Sequence, residues 1–215
     1  MFGRQRGATM AVVTIRSIPI DAVPPGEYVP TADKRVVMYG VSWEAFESIL
    51  AIRGEHQPRV TYLKGTLELM SPSRDHELMK KRFAAVIEAY LSHLRVTYEG
   101  LGAWLLKNAP EQAGLEPDEC YILHDVSKPK PDLALEVVWT SGGIDKLEIY
   151  RRLDVGEVWF WIAGKVSIHV LTDAGYELRA TSPTLPEFDF ALVAEMMTLP
   201  SLSAVHDALR ARFVR

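Results

Sequence analysis

The chain has 215 residues, 48% hydrophobic and 24% charged, with a formal net charge of −4. That is the composition of an ordinary folded domain with one sizeable core. The acidic balance argues against a tight, non-specific nucleic-acid binder, although a small basic cleft fits on an acidic protein. Cys120 is the single cysteine, which excludes an internal disulfide and a cysteine-based zinc finger and points to the reducing cytoplasm. No apolar run approaches the ~20 residues of a membrane span, and Ala8–Ile15 behind Arg4 and Arg6 is too short to read as an export signal.

Residues 1–34 contain Pro24-Pro25-Gly26 and Pro30 with little periodicity and read as an extended arm; 35–215 read as a single domain. Ser42 is a good helix N-cap, with Val41 and Phe46 at the positions of a hydrophobic staple. Trp43, Phe46, Ile49 and Leu50 form the apolar stripe, and Gly54 ends the helix. Arg59–Leu63 and Thr66–Met70, joined by Lys64-Gly65, predict a hairpin. Alternation puts Thr66, Glu68 and Met70 on one face. Glu68 then points either to solvent or into a polar cleft. Ser73 caps a long helix marked by Met79, Phe83, Val86, Ile87, Tyr90 and Leu94. His76, in its first turn, is either a satisfied half-buried side chain or a contact for an anion at the positive helix end. Lys80, Lys81 and Arg82 are the candidates for a DNA-facing patch on that helix.

Further on, Gly102–Lys107 and Glu116–Leu123 read as strands separated by a loop at Asn108–Leu115. Leu133–Trp139 is a strongly apolar strand, followed by a helix from Ile144 to Leu153 and a buried run at Val158–Ala163. Strand, helix, strand implies a crossover between parallel neighbours. A hairpin joins Val166–Leu171 to Tyr176–Ala180, Pro183 and Pro186 interrupt the chain, and Leu202–Phe213 predicts a closing helix. The pattern is an α/β domain whose mixed sheet is covered by helices.

Asp132 and Glu136 share a strand face but lie ~13 Å apart along it, too far to share an ion. Asp118 is better placed. If its strand pairs with Leu133–Trp139, its carboxylate approaches that of Glu136 across the ladder. Asp132, after Pro131, fits a strand start that binds local backbone. Glu136 sits between Leu135 and Val137, where an unpaired buried carboxylate costs several kcal/mol. A metal ion, Lys146 or another cation must compensate it, and Lys146 sits in the first turn of the next helix.

The segments YGVSWEAFESIL, GTLELMSPSRDHE, GLEPDECYIL and PDLALEVVWTSGGIDKLEIYRRLDVGEVWFW run in order over most of Tyr39–Tyr176. Together they resemble the Uma-two family of restriction endonucleases, in the PD-(D/E)XK nuclease superfamily. The resemblance implies an α/β restriction-endonuclease-like core, a mixed β-sheet flanked by helices, with an N-terminal helix and hairpin. It implies a Mg²⁺-dependent site, Mn²⁺ being an alternative, that hydrolyses DNA phosphodiester bonds. Carried over, Asp118 and Glu136 are the metal acids, Glu68 is an acid from the hairpin, and His76 matches a further family position; Asp132 is kept beside His76 as an accessory candidate. The superfamily's lysine position is Val138 here, and Lys146 looks like its displaced substitute. The expected partners are DNA and a second copy of the chain in a homodimer, with no membrane. Two rivals stand beside this reading. One is a catalytically inactive nuclease-fold module that binds nucleic acid, favoured by Val138 and the acidic balance. The other is an assembly protein using Trp159, Phe160 and Trp161 as an interface, against which stands the packing of that cluster on a buried central strand.

Overall fold

The computed structural model describes residues 14–15, 32–55, 57–138 and 144–213. In chain order these form β1 (Thr14–Ile15), β2 (Lys34–Tyr39), α1 (Trp43–Arg53), β3 (Arg59–Leu63), β4 (Thr66–Ser71), α2 (Arg74–His93), β5 (Tyr98–Gly100), β6 (Leu106–Asn108) and β7 (Ala113–Leu115). Then come β8 (Glu119–Leu123), β9 (Leu133–Val138), α3 (Lys146–Arg152), β10 (Glu157–Ile162), β11 (Lys165–Thr172), β12 (Gly175–Arg179), α4 (Phe190–Met197) and α5 (Leu202–Phe213). Among the described residues no helix is long and apolar enough to cross a membrane.

The first sheet grows from the β3–β4 hairpin. Lys64 and Gly65 both take positive φ, as a two-residue hairpin turn requires, and set Leu63 opposite Thr66. Its strand order is β1-β2-β4-β3-β7-β6, antiparallel throughout. Val60, Tyr62 and Leu67 pack one face against Phe46 and Leu50 of α1, with Phe46 stacked on Tyr62 at 4.6 Å between ring centroids. Ser42 starts α1 by accepting from the Ala45 N–H, and Gly54 stops it in a left-handed conformation. Alternation leaves Arg59, Thr61 and Glu68 on the opposite face, and all three are buried. The bland possibility for Glu68, a solvated outer face, is thereby excluded.

The second sheet has the order β12-β11-β10-β9-β8-β5. β9 and β10 are its one parallel pair among the described residues, connected through α3. On one face Tyr121, Leu133, Leu135, Val137, Trp159 and Trp161 meet α2, α4 and α5 in the largest core cluster. On the other, Cys120, Ala134, Val158 and Phe160 lie beneath Ile149 and Tyr150 of α3 and touch the β6–β7 side of the first sheet. The crossover helix and the first sheet therefore share one side of β8–β9–β10.

The structure corrects several sequence expectations. One mixed sheet becomes two six-stranded sheets. The Asn108–Leu115 segment is not a loop but the β6–β7 hairpin, and only Leu106–Asn108 of the expected Gly102–Lys107 strand forms. Three-residue strands carry too few residues to show a period. β2 and α4 went unread, the latter opened by Asp189 accepting from Ala191 and Leu192. The strand end at Trp139 lies outside the described residues, as does the extended arm apart from Thr14–Ile15 and 32–34. Trp159, Phe160 and Trp161 are buried on the central strand rather than offered to a partner.

Trp159 is the centre of the larger core. Its ring meets Phe188 and Phe190 at 5.0 and 4.8 Å between centroids, and its indole N–H donates to Glu157 at 2.5 Å. Trp159→Ala leaves a large cavity and an unpartnered Glu157 oxygen. It should destabilise the fold by about 3–5 kcal/mol in urea unfolding; a loss below about 1 kcal/mol would show that the cluster is not a packing centre.

Candidate functional site

Pairing of β8 with β9 puts Glu119 opposite Leu135. Asp118, one residue before β8, is therefore level with Glu136, on the side of the sheet that carries Cys120 and Ala134. Both carboxylates are fully buried. Asp118 Oδ2 accepts from the Val137 backbone N–H at 2.6 Å. Its Oδ1 accepts from Arg59 Nη1 and lies 2.8 Å from His76 Nε2. Glu136 Oε2 accepts from Lys146 Nζ at 2.5 Å, and Oε1 from the Tyr150 hydroxyl at 2.5 Å. Asp145 caps α3 through the Glu148 N–H, which places Lys146 at the first helical position, over the end of β9.

Two of the cations, His76 and Arg59, have second anchors. His76 Nδ1 lies 3.1 Å from Asp33 Oδ2, while Asp33 Oδ1 accepts from the Ser73 N–H at 2.8 Å. Arg59 Nη2 donates to Glu77 at 2.7 Å. From the first sheet, Glu68 Oε2 is buried with no hydrogen-bond partner among the described residues, and it lies 3.9 Å from Arg35. Among the described residues, no group of three or more His, Cys, Asp or Glu side chains is placed to share one metal ion. The acids hold the chain's own cations instead.

These contacts set the charge states. Burial opposes ionisation of Asp118, but the His76 hydrogen bond and the charges of Lys146, His76 and Arg59 hold its carboxyl well below the usual carboxylate range. Burial also opposes charge on His76, yet its hydrogen bonds to Asp118 and Asp33 win and raise its pKa to about 9. His76 is an imidazolium at neutral pH. Burial disfavours the Lys146 ammonium, and the Glu136 and Asp118 charges more than compensate, so its pKa lies above the ordinary value. For Glu136, burial raises the pKa, Lys146 pulls it back and Asp118 adds to the rise; the net direction is upward. Burial pushes the Cys120 thiol up to about 12, which removes it as a nucleophile.

Residues 43–201 match the profile of the Uma2 family, described as "Putative restriction endonuclease". The chain belongs to the Uma2 family. Asp118, Glu136, Glu68, His76, Lys146, Arg59 and Tyr150 lie within the matched Uma2 span, and Asp33 lies before it. A crystal structure of a "putative nuclease belonging to DUF820" from Anabaena variabilis ATCC 29413 is similar at 10% identity, covering 65% of this chain and 92% of that one, with a TM-score of 0.48. No curated protein matches the chain.

In this Uma2 protein the structure brings together Asp118, Glu136, Lys146 and His76, all read from sequence. Asp132 stands apart. It begins β9 at the far end from Glu136, accepting from the Leu123 N–H at 2.8 Å and from Lys128. The DNA-facing patch needs correction. Arg82 is buried and donates to the Met197 carbonyl at 2.6 Å, which ties α2 to α4. Lys80 is buried beside Glu77 at 3.0 Å. Lys81 alone of the three is open, its side chain 60% exposed. Helical neighbours point about 100° apart, so a run of three cations cannot share one face. Arg59, Asp33 and Tyr150 escaped sequence reasoning. Arg59 carried a faint signal: it alternates with Thr61 in a strand, on the face that pairs with Glu68.

His76 gives the metal-free protein a pH-dependent stability. Its folded pKa of about 9 exceeds the ordinary 6.5, so its contribution is whole below about pH 6.5 and is lost as pH rises through 9. The amount is on the order of 3 kcal/mol. Urea unfolding midpoints should fall across this window, and His76→Gln should lower stability at pH 6.5 and flatten the slope. The same slope in wild type and variant would show that another group carries it.

Proposed function

We propose that this Uma2 protein is a divalent-metal-dependent endonuclease with a restriction-endonuclease-like core that hydrolyses DNA phosphodiester bonds in the cytoplasm. The observation that carries the reading is the buried pairing of Asp118 and Glu136, drawn from two adjacent strands, with the Lys146 ammonium 2.5 Å from Glu136. The family match supports the reaction class.

The donor chemistry fits a hard cation such as Mg²⁺ or Mn²⁺, which takes oxygen ligands and needs only one or two carboxylates. Asp118 and Glu136 would hold it, and Glu68, one buried oxygen of which makes no hydrogen bond among the described residues, is the third acid. When bound, the ion would polarise the scissile phosphate and lower the pKa of an attacking water.

The chain's residues have separable tasks. Lys146 is charged, so it acts as a donor to phosphate oxygens rather than as a base. It supports the idea of a displaced lysine, because its ammonium reaches the second acid although Val138 occupies the superfamily's usual place. Glu68, whose ion-pair partner among the described residues is Arg35 at 3.9 Å, is the acid that would accept a proton from water or complete the ion's shell. Arg59, His76 and the Val137 N–H fix the Asp118 carboxylate, and Tyr150 fixes Glu136. Lys81 is the exposed cation left to meet the DNA backbone. The rival reading, an inactive nuclease-fold binding module, gains one structural observation: no three ligands among the described residues are placed to share an ion.

Purified protein should cut duplex DNA with Mg²⁺ or Mn²⁺. Asp118→Asn, Glu136→Gln and Lys146→Met should each slow cleavage by about 10²-fold or more, measured by gel assay of supercoiled and linear DNA. Wild-type protein that leaves both forms intact with either ion sinks the nuclease reading.

A further inference from the structure

The site acids are neutralised from within, but the cations that do so are not equally anchored. Arg59 bridges Asp118 and Glu77, with 6% of its side chain exposed. His76 bridges Asp118 and Asp33, with 1% exposed. Each is pinned between two carboxylates. Lys146 differs on both counts. Among the described residues its one hydrogen bond is to Glu136, and 21% of its side chain is open to solvent. It stands at the first position of α3, on a flexible four-carbon stem. The other Glu136 oxygen is bound by Tyr150, a neutral donor on the same helix that can stay in place when the ammonium leaves.

A divalent ion at Glu136 competes with Lys146 for the same carboxylate and meets its like charge beside a fully buried acid, where screening is weak. A phosphate group arriving beside Lys146, whose side chain is partly open to solvent, removes that conflict, since it offers the ammonium another anion. We propose that Lys146 is a latch on this site: in the free protein it holds Glu136 and opposes divalent-ion binding, and a substrate phosphate draws it off, so that ion and nucleic acid load together. The proposal rests on the nuclease reading for the identity of the two ligands. Linkage then requires that DNA tighten ion binding and the ion tighten DNA binding by one common factor.

Isothermal titration of the full-length protein at pH 8 tests it. Mn²⁺ and Ca²⁺ should bind the free wild-type protein weakly. Both should bind Lys146→Met about tenfold or more tightly, while Lys146→Arg, which keeps the charge and the reach, stays weak. A short DNA duplex should raise the Ca²⁺ affinity of wild type by about tenfold or more and leave that of Lys146→Met unchanged. The duplex arm uses the unaltered protein, so it holds even if a variant misfolds. Equal ion affinities in wild type and Lys146→Met, with no effect of duplex, overturn the latch. If ions bind tightly in that case, the metal site survives without it; if they bind neither protein, the nuclease reading falls as well.

Discussion

Asp118 is a carboxylate taken wholly out of water, and it stays ionised because three separate parts of the chain reach it. Arg59 comes from β3 of the first sheet, His76 from the first turn of α2, and the Val137 N–H from β9 of the second sheet. A buried charge without such partners is strongly destabilising. The docking of the two sheets and the ionisation of Asp118 are therefore one condition. The rest of the site is laid out around it: Glu136 follows from the β8–β9 register, and Lys146 and Tyr150 from the crossover helix that the parallel β9–β10 pair requires.

The same contact explains why the first sheet has a polar inner face. Its outer face is ordinary aromatic and aliphatic packing on α1. Its inner face presents Arg59 and Glu68, which would be costly against an apolar neighbour and are stable opposite Asp118, Glu77 and Arg35. The network continues along α2, where Lys80 lies between Glu77 and Glu119. A run of buried charge thus lies along the seam between the two sheets. A pocket with such low screening gives large effects to small displacements of one ammonium. That is why a partly exposed lysine is the natural moving part, while the doubly anchored arginine and histidine are fixed.

How much of this was legible follows from the range of each interaction. Ser42, Ser73 and the Lys64-Gly65 turn act on neighbours within a few residues, and each forms as its local pattern predicts. The Asp118–Glu136 approach was also readable, because two apolar runs with one connecting turn have few ways to pair. The three-residue strands β6 and β7 had no period to read, and they exist because the first sheet offers an edge to them. Lys80, Lys81 and Arg82 illustrate the opposite error. A run of cations looked like a surface patch, yet the helix rotation sends Arg82 into the contact with α4.

Alternation, capping and turn chemistry in the chain were enough to settle the types of the longer elements and to put Glu68 on one face with Thr66 and Met70, since these depend on short spacings; whether that face met solvent or a cleft was left to the fold. Folding in three dimensions chose the partners. Arg59 meets Asp118 across 59 residues of chain, and Asp33 meets His76 across 43. No local pattern encodes such meetings; they arise because a buried carboxylate must find positive charge wherever packing brings it.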